Sequence, residues 1–202
     1  MKNSDKIILD LCGGTGAWSK PYKEAGYDVR LITLPDYDVR KWWKYPEITE
    51  PVEAADVYGI LVAPPCTQFS RARTTAKTPR DFRGGMEIVN ACLDIIHETQ
   101  YRISFALKFW ALENPRGLLT RFMGKPPFKF QPYDFGEGYQ KETYIWGNFN
   151  FPDKSPIKLS AEELRKSNRN IRPLPKIDGL SVADRRAITP AGFANAFFKA
   201  NQ

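Results

Sequence analysis

Three short apolar runs, each ended abruptly by a turn, constrain the fold of this chain more than any other feature. The first is Lys6 to Cys12 (KIILDLC), which is followed by glycines. The second is Asp56 to Ala63 (DVYGILVA), which is followed by two prolines, and the third is Phe109 to Glu113 (FWALE), which is followed by an asparagine and a proline. Apolar runs of this length between turns are typical of strands that are buried on both faces of a sheet. We therefore predict three central strands.

The segments between these runs predict the rest of the core. A helix is expected from about Ala17 to Ala25, closed by Gly26 in a left-handed cap, and a second strand from Tyr27 to Leu34. Apolar residues at near-helical spacing predict one long or broken helix from Met86 to about Lys108, and Glu142 to Trp146 is a fifth strand. Strands that alternate with helices indicate an α/β fold, a doubly wound and mostly parallel sheet covered on both faces.

The last third of the chain differs in composition. Residues 149–181 are polar, basic and rich in proline, and Ser160 with Glu163 forms a capping box that predicts one short helix there. We expect this stretch to be a surface excursion. The chain then continues with Thr189 as an N-cap, Pro190 at the first helical position and a phenylalanine-faced helix. A length of 202 residues suits a single domain, 1–202.

Composition narrows the class of partner. Thirty Lys and Arg against 23 Asp and Glu give a net charge of +7, which suits a polyanion. No apolar run is long enough to cross a bilayer and the first residues lack a secretory signal, so we expect no membrane partner and a cytoplasmic location in a bacterial or phage-infected cell. Cys12, Cys66 and Cys92 are scattered without a CxxC pair, which indicates neither a disulfide framework nor a metal site.

A glycine-rich turn, Asp10-Leu-Cys-Gly-Gly-Thr-Gly16, follows the first strand, where doubly wound folds bind their cofactor. Gly14 and Gly16 allow the backbone to approach a ligand closely. Ser19 stands where the dinucleotide pattern G-x-G-x-x-G requires glycine, which argues against a nicotinamide cofactor. A tight turn whose glycines serve geometry alone is the alternative, and Cys12 is predicted to be a small packed residue rather than a reactive thiol.

Cys66 lies in Ala63-Pro-Pro-Cys-Thr-Gln-Phe-Ser70, directly after a predicted strand, where parallel-sheet enzymes display reactive groups. A basic loop follows, and we expect its cations to contact a phosphate backbone and to favour the thiolate. A buried structural cysteine is the alternative, but a buried loop could not satisfy five cations. Glu113 ends the next strand in Leu-Glu-Asn-Pro, which places its carboxyl group in the same crevice.

In this order, the motifs resemble those of the DNA cytosine-5 methyltransferases, and especially their short phage-type members. DLCGGTGAW is similar to the family's cofactor-binding motif, APPCTQFS to its catalytic proline-cysteine motif and LENP to its glutamate-asparagine motif. YQKETYIWGN is similar to the strand motif that supports the nucleophile, and AGFANAFF to the terminal motif that completes the cofactor pocket. The resemblance covers nearly the whole chain and implies a Rossmann-like fold of the S-adenosylmethionine-dependent methyltransferase type.

The resemblance implies roles for individual residues. Cys66 would attack C6 of a cytosine flipped out of DNA, Glu113 would hold N4–H and a protonated N3, and Lys141 would support the pyrimidine. S-adenosylmethionine would be bound by Asp10, Cys12, Gly14, Gly16, Ala17, Trp18, Asp36, Asp38, Pro64 and Asn195. The loop that closes over DNA would contribute Ser70, Arg71, Arg73, Lys77, Arg80 and Arg83.

The chain also departs from the family pattern. Lys141 and Thr143 stand where the family often has two arginines, and no acid directly ends the second strand, so Asp36 and Asp38 are both candidates for the ribose hydroxyls. Ala194 stands where glycine is common, with Asn195 retained. The short 149–181 stretch in place of a recognition domain implies short or relaxed sequence specificity.

Three other functions remain alternatives. An RNA cytosine-5 methyltransferase would use the same fold and charge. A non-catalytic relative would bind S-adenosylmethionine or DNA without turnover. A nicotinamide oxidoreductase comes last, because the glycine pattern fails and the roles of Cys66 and Glu113 would be unexplained.

Overall fold

The computed structural model of the chain describes residues 2–49, 56–71, 73, 76–102, 107–168 and 177–202. In these residues the backbone forms a six-stranded sheet in the order β2-β1-β3-β4-β6-β5. The first four strands run parallel, whereas β6 is antiparallel to both β4 and β5. The predicted α/β class with a mostly parallel sheet is confirmed, and the topology is compatible with a Rossmann-like fold. The strands are β1 (Lys6–Leu11), β2 (Asp28–Ile32), β3 (Asp56–Val62), β4 (Phe109–Pro115), β5 (Phe128–Phe130) and β6 (Thr143–Asn148).

The order of the strands reverses at β1. The next strand in the chain, β2, pairs on one side of β1, whereas β3 crosses over and pairs on the other side. Leu11 at the carboxyl end of β1 lies opposite Val62 at the carboxyl end of β3, so the turns that follow these strands leave the sheet side by side. Ligands of doubly wound folds bind in the crevice at such a switch point.

The helices differ from the predicted ones mainly at their ends. The helix predicted from Ala17 begins at Lys20, because residues 14–19 form turns, and Gly26 adopts the expected left-handed conformation with φ +85°. The long helix begins four residues before Met86 because the Asp81 carboxylate accepts the Gly84 N–H at 2.8 Å and caps an earlier turn. The helices that accompany the sheet include α1 (Lys20–Glu24), α2 (Phe82–Arg102), α3 (Thr120–Met123), α4 (Ala161–Asn168), α5 (Val182–Ala187) and α6 (Ala191–Ala200).

Three of these elements, β5, α3 and α5, are absent from the sequence-based prediction, and α3 is a single turn of four residues. β5 is a three-residue edge strand, too short for its alternation of buried and exposed residues to stand out. The first turn of α5 is closed by a capping box between Ser181 and Asp184, a signal that the sequence contains. The strand predicted from Glu142 to Trp146 runs from Thr143 to Asn148, and α6 begins after Pro190 rather than at it.

The sheet separates two apolar clusters. Alternate residues of β1 face opposite sides: Ile7, Leu9 and Leu11 belong to the cluster under α2, and Ile8 belongs to the cluster under α1 and α6. The second cluster is aromatic, and within it the Phe193 and Phe130 rings stack at 4.0 Å between centroids. This alternation puts Asp10 on the same side of the sheet as Ile8.

The 149–181 stretch contains the predicted capping box. The Ser160 N–H donates to the Glu163 carboxylate at 2.7 Å, and the Glu163 N–H donates to the Ser160 hydroxyl at 3.2 Å, at the start of α4. The Lys154 Nζ donates to Asp134 and to the Lys129 carbonyl, both at 2.8 Å, so part of its hydrogen-bonding capacity is already used within the protein. Residues 169–176 of the predicted basic excursion lie outside the described residues.

The aromatic cluster yields a stability prediction. Phe193 is fully buried and its ring contacts four others, those of Trp18, Phe130, Phe135 and Phe197. Replacing it with alanine removes these contacts and leaves a cavity, so we expect Phe193→Ala to lower the free energy of unfolding by about 3–5 kcal/mol. Urea unfolding measures this, and the exposed Lys199→Ala in the same helix is expected to change stability by less than about 0.5 kcal/mol.

Candidate active site

The turn after β1 presents an open backbone at the switch point. Cys12, Gly14 and Gly16 all have positive φ, at +58°, +58° and +69°. Gly14 is exposed, and no atom lies within 4 Å of the place where a Cβ would stand. The Gly16 N–H donates to the Gly13 carbonyl at 3.0 Å and closes the turn. A ligand can therefore approach the main chain at Gly14 without meeting a side chain.

Asp10 lies beneath this turn and is completely buried. Its Oδ2 accepts the Ser19 hydroxyl at 2.5 Å, while its Oδ1 has no hydrogen-bond partner among the described residues. A Cβ at Gly13 would overlap the Asp10 carboxyl group. Burial raises the pKa of Asp10 to about 6, and the hydrogen bond from Ser19 opposes this rise only in part. A buried carboxyl group with an unused oxygen costs stability, and such groups are concentrated at functional sites.

The other residues predicted to bind a cofactor on this side of the sheet take different positions. Trp18 is only 2% exposed, and its ring packs on Phe193 and Phe197 of α6, so its side chain belongs to the core. Ala17 is half-buried, and Asn195 is exposed on α6. The glycine turn and α6 are thus joined through Trp18.

Cys12 connects the turn to α2. Its thiol is half-buried and shares a hydrogen bond with the thiol of Cys92, which is fully buried on α2. This hydrogen bond and burial together place the pKa of Cys92 well above its usual range. Both thiols are free and pack with the apolar cluster under α2, in line with the predicted packing role of Cys12.

The two acids after β2 are not equivalent. Asp38 accepts the Arg40 guanidinium at 2.7 and 2.9 Å and the Arg40 N–H at 3.0 Å, and these contacts hold the pKa of Asp38 below its usual value. Both of its carboxylate oxygens are therefore already in use. Asp36 is exposed. Of the two candidates, Asp36 has the more accessible carboxylate.

Cys66 begins a single 3-10 turn directly after β3, and that turn is held firmly. The Cys66 carbonyl accepts the N–H groups of Phe69 and Ser70 at 2.9 and 2.7 Å. The side chain of Asn114, which is fully buried, donates to the Pro64 carbonyl at 3.1 Å. Asn114 is a residue that the sequence-based prediction of the site did not include, although it stands next to Glu113 in the same motif. Its contact fixes the end of β4 against the turn that carries the thiol.

Cys66, Glu113 and Lys141 influence one another electrostatically. Burial raises the pKa of Cys66, the Glu113 carboxylate raises it further, and Lys141 lowers it. Burial also raises the pKa of Glu113, again opposed by Lys141. The antiparallel strand β6 makes this possible, because it returns alongside β4 with Ile145 opposite Glu113 and brings the preceding Lys141 to the same edge. The Lys141 Nζ donates to the Arg186 carbonyl at 3.1 Å, which anchors it on the last turn of α5.

The cations that follow Cys66 divide into two groups. Arg80 donates to the carbonyls of Gln68 and Ser70 at 2.7 and 3.0 Å, and Arg73 donates to Gln68, Thr78 and Pro79, so both guanidinium groups hold the loop together. Arg71, Lys77 and Arg83 are exposed. None of the five is among the groups that shift the pKa of Cys66, so the expected stabilisation of the thiolate by this loop is wrong, because these cations face the loop carbonyls or solvent. Lys141 is the cation that has this effect.

The part of the chain that the structure describes contains no cluster of three or more His, Cys, Asp or Glu side chains able to hold a metal ion. Among these same residues, no helix is both long enough and apolar enough to cross a membrane. A comparison with protein-family models and a comparison with curated proteins each find no match.

The buried carboxyl group of Asp10 predicts an unusual stability profile. The native state holds the proton more tightly than the unfolded chain, so stability falls as pH rises from the ordinary pKa of 3.8 to about 6 and stays reduced above that. We expect Asp10→Asn to remove this fall and to raise the free energy of unfolding at pH 7.5 by about 1–3 kcal/mol. Urea unfolding at pH 4 and pH 7.5 tests this, with the exposed Asp36→Asn as control. A loss of stability in Asp10→Asn at both pH values would contradict it.

The coupling between Cys66 and Glu113 predicts a second outcome. Removing the carboxylate charge in Glu113→Gln lowers the pKa of Cys66, so iodoacetamide should alkylate Cys66 faster at pH 8, by roughly threefold. Lys141→Gln should slow the same reaction by a similar factor. Peptide mass spectrometry separates Cys66 from Cys12 and Cys92, and Glu142→Gln, a carboxylate paired with Arg116 at 2.9 Å, is the matched control. Equal rates in all variants would mean that the three groups do not share a site.

Proposed function

We propose that this chain transfers a methyl group from S-adenosylmethionine to carbon 5 of cytosine in DNA, with Cys66 as the covalent nucleophile. The observation that carries the proposal is the placement of Cys66, Glu113 and Lys141 at neighbouring strand ends beside an open glycine turn, with the charges of Glu113 and Lys141 acting on the pKa of Cys66. A thiol, a carboxyl group that protonates readily and a cation are the groups that addition to a pyrimidine ring requires. The order of the motifs along the chain supports the same reaction.

The residues at the switch point fit the proposed cofactor. The main chain is open at Gly14, and the unused Asp10 Oδ1 offers negative charge beneath the turn, which suits a ligand with ammonium and sulfonium groups. Asp36 has an exposed carboxylate for ribose hydroxyls, and Pro64 is buried at the end of β3. When bound, S-adenosylmethionine supplies an electrophilic methyl group at this position.

The first step forms the bond between Cys66 Sγ and C6 of cytosine. The electron pair of the C5–C6 double bond moves toward N3 and C5, and N3 takes a proton from Glu113. The raised pKa of Glu113 makes it a better proton donor near neutral pH than an ordinary glutamate, and Lys141 stabilises the carboxylate that forms. The enamine carbon C5 would then take the methyl group as the S–CH3 bond of the bound sulfonium breaks, with the neutral thioether as leaving group. Loss of the C5 proton to a base, expulsion of the Cys66 thiolate and return of the N3 proton to Glu113 restore the aromatic ring.

Cys66 and Glu113 together retain one proton over a range of pH, because burial raises both pKa values and the Glu113 carboxylate raises that of Cys66 further. In the resting pair this proton is on the Cys66 thiol. Addition to the ring uses the other distribution, in which the proton has passed from Cys66 to Glu113, so that Cys66 is the thiolate and Glu113 is the acid.

A base within a duplex is stacked, so the target cytosine has to leave the helix to reach Cys66. The exposed Arg71 and Lys77 lie on the loop that follows the nucleophile, Arg83 lies in the first turn of α2, and these cations supply charge for the phosphate backbone. Arg73 and Arg80 keep that loop in shape. The short 149–181 stretch leaves little surface for reading bases, so we propose short or relaxed sequence specificity.

Incubation of the protein with radiolabelled S-adenosylmethionine and, in parallel, mixed-sequence duplex DNA or total RNA tests the proposal. We expect the wild type to introduce label into DNA as 5-methylcytosine and Cys66→Ala to introduce none. Glu113→Gln should introduce label at least about 100-fold more slowly than the wild type. Cys92→Ala and Glu142→Gln are the matched controls and should retain most of the transfer. Label in RNA alone would change the substrate and keep the mechanism, whereas transfer by Cys66→Ala would overturn the mechanism.

A further inference from the structure

An aromatic side chain stands exposed beside the turn that carries Cys66. Phe122 on α3 is 47% exposed, although its ring packs 5.9 Å from that of Phe69 and 5.7 Å from that of Phe82. Phe69 is fully buried, and its N–H donates to the Cys66 carbonyl at 2.9 Å. Phe122 is therefore the outer member of a cluster of three rings, packed edge-on or tilted, that begins three residues after the nucleophile.

This ring cluster is attached to the nucleophile turn by hydrogen bonds and packing. The Phe69 carbonyl accepts the Leu118 N–H at 2.8 Å, just before α3, and Ser70 forms a β-bridge with Gly117. A Cβ at Gly85 would press on the Phe69 ring, so α2 leaves only enough room for that ring. These contacts hold the exposed face of Phe122 at a fixed place relative to Cys66.

The surroundings of Phe122 are basic. The chain has no acidic residue between Glu113 and Asp134, and this segment contains Arg116, Arg121, Lys125 and Lys129. Arg121 and Lys125, which flank Phe122 in sequence, are exposed. Arg71 and Lys77 are exposed on the loop that follows the Cys66 turn, and Arg83 is exposed in the first turn of α2. An exposed ring among cations is the combination by which proteins hold nucleic acid strands, the cations contacting phosphates and the ring contacting a base face.

We infer that Phe122 stacks on a base of the bound nucleic acid next to the position from which the cytosine is displaced. This inference rests on the proposed function and adds a positioning residue to it. Displacing a base exposes the faces of its neighbours, and an aromatic ring on a rigid support replaces part of the lost stacking. The contact is sequence-tolerant, because every base has a π face.

Fluorescence anisotropy with a labelled duplex that contains an abasic site opposite guanine measures this contact without methyl transfer. We expect Phe122→Ala and Phe122→Leu each to weaken binding by about tenfold and Phe122→Trp to restore it. Leucine keeps the packing on Phe69 and Phe82 but has no π face, so a merely structural role predicts that Phe122→Leu binds normally. Phe151→Ala, which is 56% exposed and packs on Phe128 in the other apolar cluster, is the matched control and should bind like the wild type.

The salt dependence separates stacking from charge. Phe122→Ala should lower the affinity for the duplex by the same factor at all salt concentrations. Arg121→Gln should instead reduce the slope of the logarithm of the binding constant against the logarithm of salt concentration by about one. Wild-type affinity in Phe122→Ala and Phe122→Leu would overturn the inference and leave the proposed methyl transfer intact. Weaker binding by both variants in a protein that transfers no methyl group would support the stacking and reject the reaction. Failure of the wild type to bind nucleic acid at all would overturn both.

Discussion

The parallel pairing of β1 with β3 determines where the glycine turn and the cysteine turn lie relative to each other. The second strand of the chain occupies one side of β1, so β3 has to cross over to the other side, and the two strands end level with each other. The glycine turn and the cysteine turn therefore emerge as neighbours although they are about 50 residues apart in sequence. A slip of one residue in this register would turn Asp10 to the opposite face of the sheet, away from Ser19 and from the turn that it supports.

The strands of the central sheet were predictable because each is an apolar run with a strong terminator. The turns after β1 and β3 contain glycines and prolines whose geometry is local, so their positions could be read directly from the sequence. The edge of the sheet could not be predicted. β5 has only three residues, and the antiparallel insertion of β6 depends on tertiary pairing with β4 rather than on any local pattern.

The sequence predicted that Cys66, Glu113 and Lys141 come together, and their charges do act on one another, but it did not predict the electrostatics of this group. Motif order identified Cys66, Glu113 and Lys141, whereas the cation responsible for stabilising the thiolate was predicted in the wrong segment. Sequence proximity favoured the five cations after Cys66, yet Arg73 and Arg80 are used to satisfy loop carbonyls, and Lys141 acts from 75 positions away because β6 returns beside β4. Hydrogen bonds made by buried amides, such as that of Asn114 to Pro64, are likewise a property of the folded chain alone.

Trp18 joins the glycine turn to α6, and this contact has a consequence for how the protein is made. Residues 191–200 leave the ribosome after every other element of the sheet and its helices, yet Phe193 and Phe197 form one wall of the aromatic cluster against which Trp18 packs. The Tyr22 hydroxyl also donates to the Asn201 carbonyl at 3.3 Å, which ties α1 to the same late segment. During synthesis the first strand and its turn are therefore made long before the residues that cover their aromatic surface, and the glycine turn can take its final form only after residues 191–200 have been added.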